Sequence, residues 1–132
     1  MAARSKARKR ALDLVYAAEM RGRSALAELA DQGEPANPYT GVLVRGVAEH
    51  RERLDAAIGQ YAQGWSLARM PSVDRNVLRL AAFEVLYADD VPDAVAVSEA
   101  LKLVRELSTD ESPAFVNGVL GNIVRHKEQL TA

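Results

Sequence analysis

Few side chains in this sequence are equipped for catalysis. His50 and His126 are its two histidines, the residue type whose ordinary pKa lies nearest neutrality. His50 sits in Glu49-His50-Arg51-Glu52 and His126 in Arg125-His126-Lys127, both charged helix-surface settings, so neither reads as a positioned base. Cysteine is absent, which removes thiol nucleophiles, disulfides and Cys-based zinc sites and is compatible with a reducing cytosol. Asp89, Asp90 and Asp93 lack the spacing and glycine of a calcium loop and read as helix-capping residues. Phosphate loops, dinucleotide fingerprints, nucleophile elbows and zincin motifs are missing too. The expectation is a protein with no catalytic residues, no metal and no cofactor.

Charge is more informative. Residues 1–23 carry seven basic side chains (Arg4, Lys6, Arg8, Lys9, Arg10, Arg21, Arg23) against Asp13 and Glu19, a net of +5. The rest carries ten basic and sixteen acidic residues, a net of −6. A basic end on a mildly acidic body suits contact with a polyanion, although the same pattern also suits a disordered, solubilising tail. If residues 5–20 are helical, Lys6, Lys9 and Arg10 fall at i, i+3 and i+4, flanked by Arg8 and Asp13. Cations so placed can track phosphates while Leu14 and Val15 anchor the helix. Tyr16 is the nearest aromatic, so backbone contact is favoured over base stacking.

The elements that must hold this arm read as helices throughout. The 132 residues support one domain. Stretches without a charged residue reach 13 residues (Ala56–Ala68 and Ser112–Val124), short of the roughly 20 that a membrane span needs. The apolar spacing predicts a first helix from about Ser5 to Met20, ended by Gly22, and a short helix capped by Ser24 with Leu26 and Leu29 facing in. After the loop Gly33–Pro38, a third helix is expected over Tyr39–Gln63. Ser72 should cap a helix over Val73–Ala88, Pro92 should open one to Leu107, and Ser112-Pro113 should start the last, to about Gln129. Trp65 is expected as a buried wedge. The result is an all-α bundle of about six to seven helices, in an N-terminal group (residues 1–63) and a C-terminal group (64–132).

The Val73–Ala88 helix is apolar nearly all round, with a narrow polar arc at Arg75, Asn76 and Arg79, so it belongs at the centre. Glu84 projects into the apolar arc formed by Val73, Val77 and Leu80. A lone carboxylate there is costly to desolvate. Either a basic side chain from another helix meets it, or that face is open to a partner protein.

Three C-terminal stretches resemble the NusB family of transcription antitermination factors: Trp65–Glu84 (WSLARMPSVDRNVLRLAAFE), Val91–Ala100 (VPDAVAVSEA) and Phe115–Leu120 (FVNGVL). The start, Arg4–Tyr16 (RSKARKRALDLVY), resembles the family's basic first helix. The four blocks occur in the family's order. The resemblance implies two small helical subdomains and a cytoplasmic role in transcribing ribosomal RNA operons. It implies pairing with NusE, a small-subunit ribosomal protein, and binding of boxA RNA to help the RNA polymerase complex resist termination. It carries RNA contact onto Arg4, Lys6, Arg8, Lys9 and Arg10, and a NusE contact onto Glu84. Gly121 departs from the pattern, standing where many relatives carry Asp, and Ser66–Met70 lacks the polar groups of base readout. A NusB-like domain also precedes some rRNA cytosine methyltransferases, but without a cofactor-binding sheet or cysteine this chain is not expected to be one. Apolar surface on either subdomain is compatible with a homodimer that masks the RNA or NusE face. The contrasting reading is a helical protein-protein adaptor with a solubilising basic tail.

Overall fold

The computed structural model describes residues 2–131; Met1 and Ala132, at the outer ends of the two expected subdomains, lie outside them. Among the described residues there are eight α-helices and no strand. They are α1 (Ala2–Arg21), α2 (Ala25–Gln32), α3 (Pro38–Glu49), α4 (Arg51–Tyr61), α5 (Ser72–Tyr87), α6 (Asp93–Leu107), α7 (Ser112–Arg125) and α8 (Lys127–Thr131), with a 3₁₀ turn at Leu67–Arg69. None is long and apolar enough to cross a membrane.

Local chemistry explains most boundaries. Gly22 takes φ +64°, and the amides of Gly22 and Arg23 bond the carbonyls of Glu19 and Ala18. That is the paired closure a left-handed glycine permits at a helix end. Ser24 caps α2 by accepting from the Ala27 amide at 3.0 Å. Asn37 caps α3 by accepting from the Tyr39 amide at 2.9 Å, with Pro38 in the first turn. The basic start is part of α1, not a disordered tail: Ala7, Ala11, Leu14, Val15 and Ala18 are buried along one face.

Five expectations are corrected, that of the Ser72 cap below among them. The helix expected over Tyr39–Gln63 breaks at His50, whose ring stacks on Tyr87 with centroids 3.8 Å apart. The break redirects the chain: α3 packs on α1, α2 and α5, whereas α4 packs on α5 and α7. The last expected helix likewise breaks at His126. Trp65 is 52 % exposed; it follows the turn at Gly64 (φ +79°) and meets Phe115 edge-on at the surface. On α2, Leu26 is exposed and Glu28 turns inward to pair with Arg21 and Arg23.

Helix α5 is central, touching α1, α3, α4, α6, α7 and α8. Its polar arc is not solvated. Arg75 and Arg79 pair with Glu19 of α1, and Arg79 also pairs with Asp55 of α4 at 2.8 Å. Ser72 does not cap α5; its hydroxyl donates to Glu19 at 2.6 Å. At the same end, Asp74 is buried and accepts from Ser108 (2.6 Å) and Ser112 (2.8 Å), tying α5 to the α6–α7 turn. The buried apolar residues, Ala18 apart, form one cluster from Ala7 to Ile123.

Two predictions follow from this packing. A Cβ on Gly46 would overlap the Phe83 ring. Helix propensity favours Gly46→Ala by about 1 kcal/mol, but overpacking costs about 1–3 kcal/mol. We expect a net loss of up to about 2 kcal/mol, read as a lower urea midpoint, and partial recovery on adding Phe83→Leu. The second concerns acid. Burial tends to raise the Glu19 carboxyl, but hydrogen bonds from Arg75 and Ser72 outweigh it and hold its pKa at about 2, against an ordinary 4.5. A depressed carboxylate contributes stability that is fully present above its unfolded pKa and lost as pH falls through its folded one. Unfolding free energy should therefore decline between about pH 5 and pH 2. Glu19→Gln should lower stability at neutral pH and make the acid limb shallower; an unchanged limb would count against the network.

Candidate nucleic-acid interface

The basic residues of α1 divide into an inner and an outer set because a helix turns about 100° per residue. Arg8 shares the inner face with Ala7 and Ala11 and is 5 % exposed. Its Nε lies 3.0 Å from both carboxylate oxygens of Glu84, and its Nη2 lies 2.9 Å from Oε2. Glu84 is 2 % exposed and also accepts a hydrogen bond from the Tyr39 hydroxyl of α3. The side chain expected to meet Glu84 from another helix is thus Arg8. Both groups are buried and paired with each other, so this geometry presents neither charge at the surface and argues against the NusE contact expected of Glu84 and the RNA contact expected of Arg8.

The surrounding groups complete this arrangement. Arg8 Nη1 lies 3.4 Å from Glu99 of α6, which also accepts from the Ser5 hydroxyl at 2.5 Å. Burial alone would lower the Arg8 pKa, but its bonds to Glu84 carry it above the ordinary value. Burial, then the bond to Glu84, pushes the Tyr39 phenol well above its usual range, so it remains a donor. Burial tends to raise Glu99 as well, but the hydrogen bonds from Ser5 and Lys102 outweigh it and hold that carboxyl below its ordinary value.

The outer set is Lys6, Lys9 and Arg10, all exposed, with Arg4 half-buried at the helix start. Arg4 lies over the Tyr39 ring, 4.1 Å from its centroid, and reaches Asp90 at 3.0 Å. Lys9 reaches Glu106 of α6 at 2.7 Å, a contact that raises the lysine pKa. Arg10 donates to the neutral Gln32 side chain at 2.9 Å. Among the described residues Lys6 has no ion-pair partner. Between α1 and α6 runs a shallow cleft of ≈170 Å³ lined by Ser5, Lys6, Lys9, Glu99, Lys102 and Glu106. Lys102 is an exposed cation here that sequence reasoning missed; it lies some ninety residues from the arm along the chain, and the helical pattern alone does not reveal their proximity. Tyr16 stands exposed farther along the same outer face. Such a surface can attract phosphates but offers little to read bases. Among the described residues no group of three or more histidine or carboxylate side chains converges, near Asp90 or elsewhere.

The buried pair yields a stability prediction. Removing one partner leaves a desolvated charge behind, which costs about 3–5 kcal/mol. We expect Glu84→Ala to lose that much in denaturant unfolding and Arg8→Met with Glu84→Leu to recover most of it. A loss below about 0.5 kcal/mol for Glu84→Ala, typical of surface positions, would refute the internal role.

Known proteins share both sequence and fold with this chain. The NusB family model matches residues 5–125. Transcription antitermination protein NusB of a Nocardioides species is 62 % identical over 98 % of this chain and 99 % of its own length. The protein of the same name from an Arthrobacter species is 52 % identical over the full length of both. T. maritima NusB superposes with TM-score 0.85 at 31 % identity, over 92 % of this chain and 90 % of that one. A NusB crystallised with NusE and double-stranded RNA superposes with TM-score 0.80 at 26 % identity, over 95 % and 98 %. The four sequence blocks, the helical bundle and these relatives agree, and the chain belongs to the NusB family.

Proposed function

We propose that this chain is a cytoplasmic RNA-binding transcription antitermination factor, and not an enzyme. In this reading it pairs with NusE, binds boxA RNA of ribosomal RNA operons and helps the transcribing RNA polymerase complex resist termination. The observation that carries it is the likeness to a NusB crystallised with NusE and RNA, joined to the cationic outer face of α1. Phosphates would meet Lys6, Lys9 and Arg10, with Arg4 at the helix start. Arg8 supports the surface from within by fixing the rotation of α1. The NusE contact is to be sought on exposed parts of the central and C-terminal helices. A homodimer that covers either face would compete with these contacts, and light scattering with and without NusE tests that.

One observation favours the second reading, a protein-only adaptor: five of the seven N-terminal cations (Arg4, Arg8, Lys9, Arg21, Arg23) are paired with acids of the same chain. Salt dependence separates the two. Each phosphate contact on single-stranded RNA adds about −0.7 to the log–log slope of affinity against salt. The test is a gel shift with boxA and scrambled RNA, with and without NusE, across salt. Changing Lys6, Lys9 and Arg10 together to Ala should weaken binding of both RNAs and reduce the slope by about 2. With NusE bound, boxA RNA should bind well above the scrambled control. An unchanged slope rejects α1 as the contact surface, and equal affinities for the two RNAs with NusE present reject the antitermination reading.

A further inference from the structure

The cations of α1 do not form an open surface. Arg4, one turn before Arg8 at the helix start, is held by Asp90, in the α5–α6 turn, and Lys9, on the outer face, by Glu106, near the end of α6. These two acids differ from the other partners of the arm. Glu84 and Glu99 are built into the interior, with several bonds each and side-chain exposures of 2 % and 16 %. Asp90 and Glu106 are 67 % and 56 % exposed, and among the described residues each makes one side-chain polar contact, to the cation it covers. Exposed pairs of this kind are worth little to stability, so this role leaves their placement unexplained.

We propose that Asp90 and Glu106 occupy the phosphate-binding cations of α1 and so hold down its RNA affinity, leaving complexes that rest on scattered phosphate contacts too weak to persist. The inference rests on the RNA-binding reading above. Each carboxylate stands where a phosphate oxygen would stand, 3.0 Å from Arg4 Nη2 and 2.7 Å from Lys9 Nζ. An RNA phosphate must displace it, and the displaced carboxylate then stays beside the polyanion. Every RNA that uses these cations meets both penalties, and one that offers only scattered phosphate attraction is left weakly bound. An RNA held by further contacts, its own or a partner protein's, overcomes them because an exposed pair is weak. The cleft between α1 and α6 likewise holds acids beside its cations, with Glu99 and Glu106 among Lys6, Lys9 and Lys102.

The test measures anisotropy of labelled scrambled RNA and labelled boxA RNA with the full chain bound to NusE, at about 50 and about 200 mM salt. The variants are Asp90→Asn, Glu106→Gln and the double change. Glu52→Gln is the matched control, an exposed acid on α4 that pairs with none of the α1 cations among the described residues. A unit charge some 8 Å away in water is felt as roughly a twofold change in affinity, more where a pair must break. Each gate variant should therefore raise scrambled-RNA affinity about two- to fivefold at low salt. The gain should shrink at higher salt, and boxA RNA should gain by a similar factor, because both RNAs displace the same carboxylates. The unfolding midpoint should stay unchanged, because neither acid holds the fold. Unchanged scrambled-RNA affinity, or a rise matched by Glu52→Gln, overturns the proposal. If the wild-type chain binds neither RNA at either salt, the RNA-binding reading itself fails, and this proposal falls with it.

Discussion

The buried contact between Arg8 and Glu84 governs how the rest of the molecule is arranged. Two opposite charges at 5 % and 2 % exposure gain little net stability over an apolar pair, because desolvation offsets their attraction. Their geometry nevertheless permits few alternatives. The guanidinium must meet the carboxylate on two sides while the Tyr39 hydroxyl takes a further lone pair. This joins α1, α3 and α5 at one point and fixes the rotation of α1. A slip of one residue would turn α1 by about 100°, sending Arg8 out of the interior. Lys6, Lys9 and Arg10 face water because Arg8 does not.

A second ionic layer fixes the other end of the same helix. Glu19 lies eleven residues beyond Arg8, roughly 16 Å along the axis. It meets Arg75 and Arg79, near the start of α5, whereas Arg8 meets Glu84 toward its end. These pairings set α1 and α5 antiparallel and leave no freedom to slide. Between them lie small and branched apolar residues, Ala11, Leu14, Val15 and Ala18, which supply burial but no unique register. The apolar residues make the bundle compact; the two ionic layers determine which compact bundle forms.

Much of this was legible in sequence, and the misses share a cause. Helix class, the Gly22 stop, the Ser24 cap and the central place of the Val73–Ala88 segment are local features, decided by spacing and cap chemistry. That Glu84 was anomalous was also legible, since no apolar arc accommodates a lone carboxylate. Its partner was not: Arg8 lies seventy-six residues away and is indistinguishable by type from Lys9 or Arg10. The break at His50 was invisible because the apolar stripe continues through it. What breaks the helix is the need to cross from α1 and α2 to α7, together with the stacking of His50 on Tyr87. Trp65 was misplaced because size alone argues for burial, while the Gly64 turn leaves it at the surface. The division at residue 63 follows chain order; the buried apolar residues cross it as one cluster.

The net +5 of the first 23 residues overstates what the surface presents. Arg8 is spent in the core, Arg21 and Arg23 are held by the acids of α2, and Arg4 and Lys9 are covered at the surface. Lys6 and Arg10 alone among the seven have no acidic partner among the described residues. Two or three phosphate contacts give a salt slope of only about −1.4 to −2.1 on single-stranded RNA. Between about 50 and 200 mM salt that costs roughly seven- to twentyfold in affinity, far less than in proteins that bind nucleic acid chiefly through charge. Under the RNA-binding reading, the chain therefore cannot hold RNA firmly by attraction alone. Firm binding needs either base contacts from the bound conformation or a second protein that extends the surface. A factor that works as one half of a heterodimer needs just such a partly covered surface: idle on bulk RNA, and competent once its partner supplies the remaining contacts.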